Sequence, residues 1–470
     1  MFNLLQYANN TAVITDCGEK FTYTQLFDEV ERFGLHLARR GLFCCLCKNE
    51  IGALIGYVSG ICKGIPLVLL DGGRDSNYVN SYIEKYHPEY VWTPSFRSTD
   101  FEGSVIYECH GYSLVQMNNP SEVSYSHLHD KLALCLTTSG STGSPKLVRL
   151  TKDNLKSNAH SIATYLNITE NERPITTLPM YYSFGLSVIN SHLIKGATVL
   201  LTDSTVFSKS FWDFFGKTAP TSIAGVPFTY EMLERMGFFQ MDCPSLKTMI
   251  QAGGKLNSDI VKRYVQFSID NNKVFIVMYG QTEASPRMSY LPFEYAGKKP
   301  SSIGIPIPGG EFLIYDIYGQ TIQEPNNEGE LVYKGANVCM GYAESREDLS
   351  KGDDNKGILK TGDIAFKDSD GFYYITGRLK RFVKIWGNRY NLDAIEQLIK
   401  PITPNCACIG DDKKIQVVVE NSAFVEEIKL LMSKRLQLDK SCYSVNSMEC
   451  IPKTPSGKIQ YEKLKSLMGV

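Results

Sequence analysis

Five short stretches of the chain carry residue types able to do chemistry. The first is Thr137-Thr138-Ser139-Gly140-Ser141-Thr142-Gly143-Ser144-Pro145-Lys146, directly after the apolar run Leu132–Leu136. Glycines let successive N–H groups curl round an anion, hydroxyls donate to phosphate oxygens, and the lysine adds charge. It is not a Walker A loop, which needs lysine straight after glycine, because Pro145 precedes Lys146. A bare Ser/Gly run reads as a flexible turn, but its position after a strand, closed by Pro-Lys, favours phosphate handling. The second is Met278-Tyr279-Gly280-Gln281-Thr282-Glu283, after the apolar Val274–Val277. Ligands of open α/β sheets bind beyond the carboxyl ends of strands. There Tyr279 offers a flat face for a base, Thr282 a hydroxyl for phosphate and Glu283 a hard oxygen for Mg²⁺.

The third stretch is Leu359-Lys360-Thr361-Gly362-Asp363-Ile364, whose aspartate suits the two vicinal hydroxyls of a ribose. An aspartate in a hairpin loop is also common without a ligand. The fourth is Gly377-Arg378 with Lys384-Ile385-Trp386-Gly387, and the fifth is Pro452-Lys453-Thr454-Pro455-Ser456-Gly457-Lys458-Ile459. A lysine on such a turn is ordinarily just solvated. Each stretch alone is a weak to moderate signal, and their order and separation carry the argument.

The elements that must position these residues alternate through the first two-thirds of the chain. Ala12–Thr15, Leu132–Leu136, Ala197–Thr202, Thr221–Val226 and Val274–Val277 read as strands between helical stretches. That pattern predicts α/β architecture with a largely parallel sheet. Thr22, with Gln25 three residues on, predicts a capped helix over Leu26–Arg39. The longest apolar stretch, Ile51 to Leu70, is broken by Lys63 and reads as a buried helix, a turn at Gly64 and a strand, so no membrane span is expected. After about Ser301 short strands alternate with turn residues, and Asp370-Gly371 predicts a hairpin. This reads as a small β-barrel or sheet. A basic junction, Arg378-Leu379-Lys380-Arg381, then leads to a compact α+β tail, with helices over Leu392–Ile399, Val425–Leu436 and from Tyr461. The expected division is 1–378 and 379–470.

The composition of the 470 residues, 43% hydrophobic and 21% charged, excludes disorder as the main state. With 49 basic and 50 acidic residues the chain has no global pull on nucleic acid or acidic membranes, so neither is an expected partner. Thirteen scattered cysteines and a start without a basic, apolar leader predict reduced thiols and a cytoplasmic setting. Cys44-Cys45-Leu46-Cys47 lacks a second pair at zinc spacing and reads as small apolar residues in a buried strand.

Taken in order, these motifs resemble the adenylate-forming superfamily of acyl-CoA synthetases, peptide-synthetase adenylation domains and firefly luciferase, over nearly the whole chain. Phe21-Thr22-Tyr23-Thr24-Gln25-Leu26 looks like the family's TY-x-x-L helix, and Leu178-Pro179-Met180-Tyr181-Tyr182-Ser183-Phe184-Gly185-Leu186 like its pocket motif. Gln251-Ala252-Gly253-Gly254 looks like its adenine loop, and Gly225-Val226-Pro227 like the strand end beside the pocket.

The resemblance implies a large N-terminal domain of α/β subdomains plus a small β-barrel, then a small mobile α+β C-terminal domain. It implies that Thr138, Ser139, Gly140, Ser141, Thr142, Gly143 and Lys146 hold the departing pyrophosphate of ATP. Thr282 then lies near the α-phosphate and Glu283 on Mg²⁺. Gly253, Gly254, Tyr279 and Gly280 border the nucleotide, while Asp363 holds the ribose with Arg378 assisting. Lys458 becomes the catalytic lysine, Lys380 the hinge, and Gly387 the glycine that lets a pantetheine arm approach. Tyr182, Phe184, Val226 and Met278 would line a moderately apolar, aromatic acid pocket.

The implied reaction joins a small carboxylic acid to AMP with release of pyrophosphate, then passes the acyl group to a pantetheine thiol, of CoA or of an acyl carrier protein. Departures from the family pattern are Tyr182 in place of a histidine, Leu147 in place of a glycine after the loop lysine, Lys255 after the two glycines, and a short tail. An inward Lys255 would favour an acidic substrate; the outward setting is the expected one. The missing pocket aspartate argues against α-amino acids, and the short tail leaves a carrier protein open as acceptor. Two further readings share the motifs: a luciferase-like oxygenase, for which the sequence offers no support, and a catalytically degenerate nucleotide-binding module, against which Thr282, Glu283, Asp363, Arg378 and Lys458 speak.

Overall fold

The computed structural model describes the chain outside residues 38–39, 119–127, 138–145, 386–387, 412, 437–438 and 455–456. It forms two compact units. The first takes in the described residues of 1–311 with Tyr333–Leu359, and the second Phe312–Val332 with Lys360–Val470.

The first unit is built on two large mixed sheets. One has nine strands, in the order Ile305–Pro306, Arg287–Leu291, Val274–Gly280, Thr248–Gln251, Ser222–Gly225, Pro174–Ile175, Val199–Leu201, Thr11–Thr15 and Lys20–Thr22. Its middle is parallel, as the alternating pattern predicts, and its edges are antiparallel. The second has eight strands around a parallel centre of Leu132–Thr137, Leu67–Asp71, Phe43–Cys47 and Tyr90–Pro94. Antiparallel edges arise where the connection is too short for a crossover helix. The turn through Thr282–Ala284 to Pro286 is such a case: it folds Arg287 back opposite Gly280.

Local signals are met closely. The Thr22 hydroxyl accepts from the Gln25 N–H at 3.1 Å while the Gln25 side chain accepts from the Thr22 N–H at 2.8 Å, and the helix runs Tyr23–Gly34. It begins and ends earlier than the apolar period suggests. Ile51–Lys63 is a largely apolar, mostly buried helix closed at Gly64, and Cys44, Cys45 and Cys47 lie in the buried strand Phe43–Cys47. No helix among the described residues is long and apolar enough to cross a membrane.

The strands Gly310–Tyr315, Gly329–Gly335, Ile358–Lys367 and Tyr373–Arg378 form a four-stranded sheet falling mainly in the second unit. It is open, so the expected barrel is corrected. The first and last strands do not pair with one another, and four short strands are too few to curl round and join their own edges. The Asp370-Gly371 turn closes its last hairpin, with the Gly371 N–H donating to the Asp368 carbonyl at 3.1 Å.

The tail has its own core. Cys406–Gly410, Ile415–Val419 and Tyr443–Ser447 make a three-stranded sheet, and Ile395, Ile399, Val417, Ile428 and Met432 pack together around it. Arg381 is bolted into this core. Its guanidinium reaches Asp393 Oδ1 at 2.7 Å, Glu396 Oε1 at 2.5 Å and the Cys408 carbonyl at 2.8 Å, and lies 3.7 Å over the Tyr461 ring.

Candidate active site

In the first unit, residues chosen from the sequence converge at the carboxyl end of Val274–Gly280. The strand delivers Met278 and Tyr279, and the chain turns at Gly280. A Cβ there would collide with the Pro286 carbonyl, so only glycine permits the tight return. The turn then presents Thr282 and Glu283, both half-buried. The Thr282 hydroxyl shares a 3.0 Å hydrogen bond with Ser183, at the start of the helix Ser183–Leu193. The Glu283 carboxylate accepts from the Tyr342 hydroxyl at 2.7 Å.

The Tyr342 ring also lies 3.8 Å beneath the Lys146 ammonium, which pairs with Glu344 at 3.1 Å. Burial, and after it the charge of Glu283, pushes the Tyr342 hydroxyl up, so it stays a donor. Tyr342 and Glu344 were not legible as site residues. They lie some 60 positions from Glu283 and reach it only because Gly341–Ala343 pairs with Leu147–Thr151, the strand leaving Lys146.

The residues expected to line an acid pocket pack together. Phe184, Val226 and Met278 pack with Leu178, Val188, Ala224, Ile250 and Ile276, and Tyr182 joins from the side. Gly253 adopts φ +85°, and a Cβ there would meet the Tyr182 hydroxyl at 2.8 Å, so glycine keeps this wall thin. Gly254 is exposed, and its carbonyl accepts from the Gln251 amide at 2.9 Å. Lys255 is exposed, so its side chain is not a pocket wall. Burial pushes the Tyr182 and Tyr165 hydroxyls up to about 12, so both are neutral donors.

Behind these aromatics lies Arg287, which the sequence did not single out. Its Nε donates to Ser187 Oγ at 3.2 Å, its Nη1 to the Met278 sulfur, and its guanidinium sits 4.3 Å over the Phe184 ring. Thr138, Ser139, Gly140, Ser141, Thr142 and Gly143 lie outside the described residues, as does Gly387.

The second unit holds the other named residues. Asp363 is buried opposite Arg378 across the last hairpin, and the Arg378 Nε donates to Asp363 Oδ1 at 2.9 Å. Thr361 fixes the turn from behind: its hydroxyl accepts from the Asp363 N–H at 3.1 Å and donates to the Leu331 carbonyl at 2.7 Å. This holds a carboxylate beside an exposed cation, a fit for two vicinal hydroxyls. Lys458 sits on a hairpin closed by the Lys453–Ile459 bridge, where its N–H donates to the Thr454 hydroxyl at 3.1 Å. Lys380 is exposed, one residue before the anchored Arg381.

Comparison with known proteins identifies the family. The model of a family described as AMP-binding enzyme matches residues 101–343, over half the chain. The chain is 31% identical over 347 residues to an oxalate–CoA ligase of Arabidopsis thaliana, an alignment covering 70% of this chain and 66% of the relative. It is 26% identical over 464 residues to a 2-succinylbenzoate–CoA ligase of Bacillus pumilus, covering 95% of this chain and 93% of that one. Among solved structures, the o-succinylbenzoate coenzyme A synthetase of Bacillus subtilis with AMP superposes with a TM-score of 0.79 at 22% identity, covering 99% of this chain and 98% of that one. The same Bacillus subtilis protein is also solved with ATP and magnesium. The chain therefore belongs to the AMP-binding enzyme family, of the adenylate-forming acyl-CoA synthetase type.

Proposed function

We propose that the protein activates a small carboxylic acid with ATP and transfers the acyl group to a pantetheine thiol, that of CoA. The observation that carries this reading is the Thr282–Glu283 turn at a strand's carboxyl end, with Ser183 on the threonine and Tyr342 linking Glu283 to Lys146.

A carboxylate is a poor electrophile. One of its oxygens attacks the α-phosphorus of ATP, the bond to the bridging oxygen breaks, and pyrophosphate leaves with the electron pair. The acid is now a mixed anhydride with a good leaving group. A thiol then adds to the acyl carbon, AMP departs, and the thiol proton goes to solvent.

The chain's part is positioning and charge neutralisation. Asp363 and Arg378 take the ribose, Thr282 the α-phosphate region, and Lys146 with 138–143 the pyrophosphate. Gly253, Gly254, Tyr279 and Gly280 border the base. Tyr182, Phe184, Val226 and Met278 exclude water from the acyl group. Glu283, held by Tyr342, is a hard oxygen donor suited to Mg²⁺, which when bound offsets phosphate charge. We assign Lys458 to the adenylation step. The tail domain 379–470 pivots at Lys380 for thioester formation, bringing Gly387 to the thiol channel. The anchored Arg381 makes Lys380 a sensible pivot, because it gives the tail a rigid end there. The thirteen unpaired cysteines suit a cytoplasmic setting.

The test is product analysis with ATP, Mg²⁺ and a panel of carboxylic acids, with and without CoA. Pyrophosphate and AMP rising only with particular acids, and acyl-CoA appearing with CoA, is the expected result. Acyl-adenylate that stalls despite CoA would move the acceptor to a carrier protein. Pyrophosphate–ATP exchange unaffected by Lys458→Ala would refute the role of that lysine.

A further inference from the structure

Arg287 is only 1% exposed, and its Nη2 has no hydrogen-bond partner among the described residues. Its other contacts are poor matches for a cation: a serine hydroxyl, a thioether sulfur, which is a weak acceptor, and the Phe184 face. The remaining neighbours that bear on its charge are the hydroxyls of Tyr165, Tyr182 and Tyr230, all kept neutral by burial.

The same chain shows what a structural buried arginine looks like. Arg97 reaches Asp100 at 3.0 Å, Arg149 reaches Asp354 at 2.6 Å, Arg346 reaches Glu89 at 2.6 Å and Arg381 reaches Glu396 at 2.5 Å. Each buried arginine among the described residues has its carboxylate except Arg287. Removing a guanidinium from water without a counter-ion is costly, and burial accordingly lowers its hold on the proton. A cation kept there at that cost has a use for a partner that the described residues do not supply.

Its place says which partner. Arg287 stands opposite Gly280 in the sheet, just beyond the Thr282 turn. On the helix Ser183–Leu193, Ser183 touches Thr282 and Ser187 touches Arg287, one turn further along. The four residues from Ser183 to Ser187 rise about 6 Å along the helix. The guanidinium also lies against Phe184 and Met278, two of the pocket residues.

We infer that Arg287 receives a second anionic group on the acid substrate, so that the pocket takes dicarboxylic acids whose carboxyl groups are about 6 Å apart. The inference rests on the acid-activating reading above. Arg287 forms with the far carboxylate the charge pair that the described residues do not give it, while the near carboxylate attacks ATP.

The experiment uses the full chain with two symmetric probes, glutarate and isophthalate, each beside its monomethyl ester. Two readouts are taken: protection against thermal unfolding without ATP, and pyrophosphate release with ATP and Mg²⁺. At least one diacid is expected to protect and to exceed its ester in kcat/KM by roughly 10²-fold, because a buried charge pair is gained. Arg287→Met should collapse that ratio toward one by lowering the diacid and leaving the ester. Arg287→Lys should keep part of it, and the ratio within the unaltered chain stands even if Arg287→Met fails to fold.

Diacid and ester behaving alike, an unchanged ratio in Arg287→Met, or no Arg287-dependent protection by either diacid would overturn the inference. Arg287-dependent protection with no pyrophosphate from any acid would keep the anion site and sink the activating reading. Pyrophosphate from monocarboxylic acids without dependence on Arg287 would do the reverse.

Discussion

Replacing Tyr342 by phenylalanine removes one hydroxyl and leaves the ring beneath Lys146. The lost interaction is a 2.7 Å hydrogen bond from a neutral donor to the Glu283 carboxylate. Bonds to charged groups contribute about 1.5–3 kcal/mol. Tyr342 is 40% exposed, so water can take over part of the donor's role and the lower figure applies. About 1.4 kcal/mol is tenfold in rate, so adenylation should slow about tenfold at limiting Mg²⁺. Because Glu283 is the proposed metal donor, the deficit should shrink as Mg²⁺ is raised.

Tyr342→Leu also removes the face 3.8 Å from the Lys146 ammonium, worth about 0.5–1 kcal/mol at an exposed site. That variant should lose a further few-fold in KM for ATP. The assay is rapid-quench pyrophosphate release across a Mg²⁺ titration. A Tyr342→Phe enzyme with the parent's Mg²⁺ dependence would refute the reasoning, because the hydroxyl would then do nothing for Glu283.

Three other outcomes are expected. Asp363→Asn keeps the shape but loses the charge facing Arg378, and should raise KM for ATP about tenfold or more with little change in melting temperature; an unchanged KM would remove the ribose role. Glu396→Leu strips an acceptor from Arg381, from the Cys408 N–H at 2.8 Å and from the Tyr461 hydroxyl, and should destabilise the tail by about 3–5 kcal/mol, read by denaturant titration and by amide exchange in Leu392–Ile399 and Tyr461–Met468. Burial pushes His192 down to about 4, so its stabilisation is full above pH 6.5 and is lost as pH falls from there to about 4, a change of about 3 kcal/mol; His192→Gln should flatten that acid limb, and an unchanged slope would show the histidine is not its source.

The fold was most legible where the signal was local. Thr22 with Gln25 encodes a capping box within one turn, and the fully apolar Phe43–Cys47 can only be a buried central strand. Asp370-Gly371 encodes its own hairpin. The edges were less legible. Arg287–Leu291 was not singled out as a strand, and its antiparallel direction is set by the short turn after Thr282. The expected barrel failed for a related reason: strand count and turn chemistry mark a small sheet, while closure depends on edges meeting in space.

The candidate site divides the same way. Thr282 with Glu283, and Thr361-Gly362-Asp363, are contiguous, so their backbone turns present them together whatever surrounds them. The partners are another matter. Tyr342 reaches Glu283, and Ser183 reaches Thr282, only through strand pairing and helix packing over long separations. Most of all, Arg287 looks in sequence like an ordinary charged residue at a strand's start. What sets it apart is the lack of a carboxylate among the described residues, and absence of a partner is a property of everything packed around a residue. Sequence by itself determined the local turns, the apolar strands and the order of the chemical motifs, because those depend on neighbours along the chain. Tertiary structure alone decided which charges are paired, because pairing depends on neighbours in space.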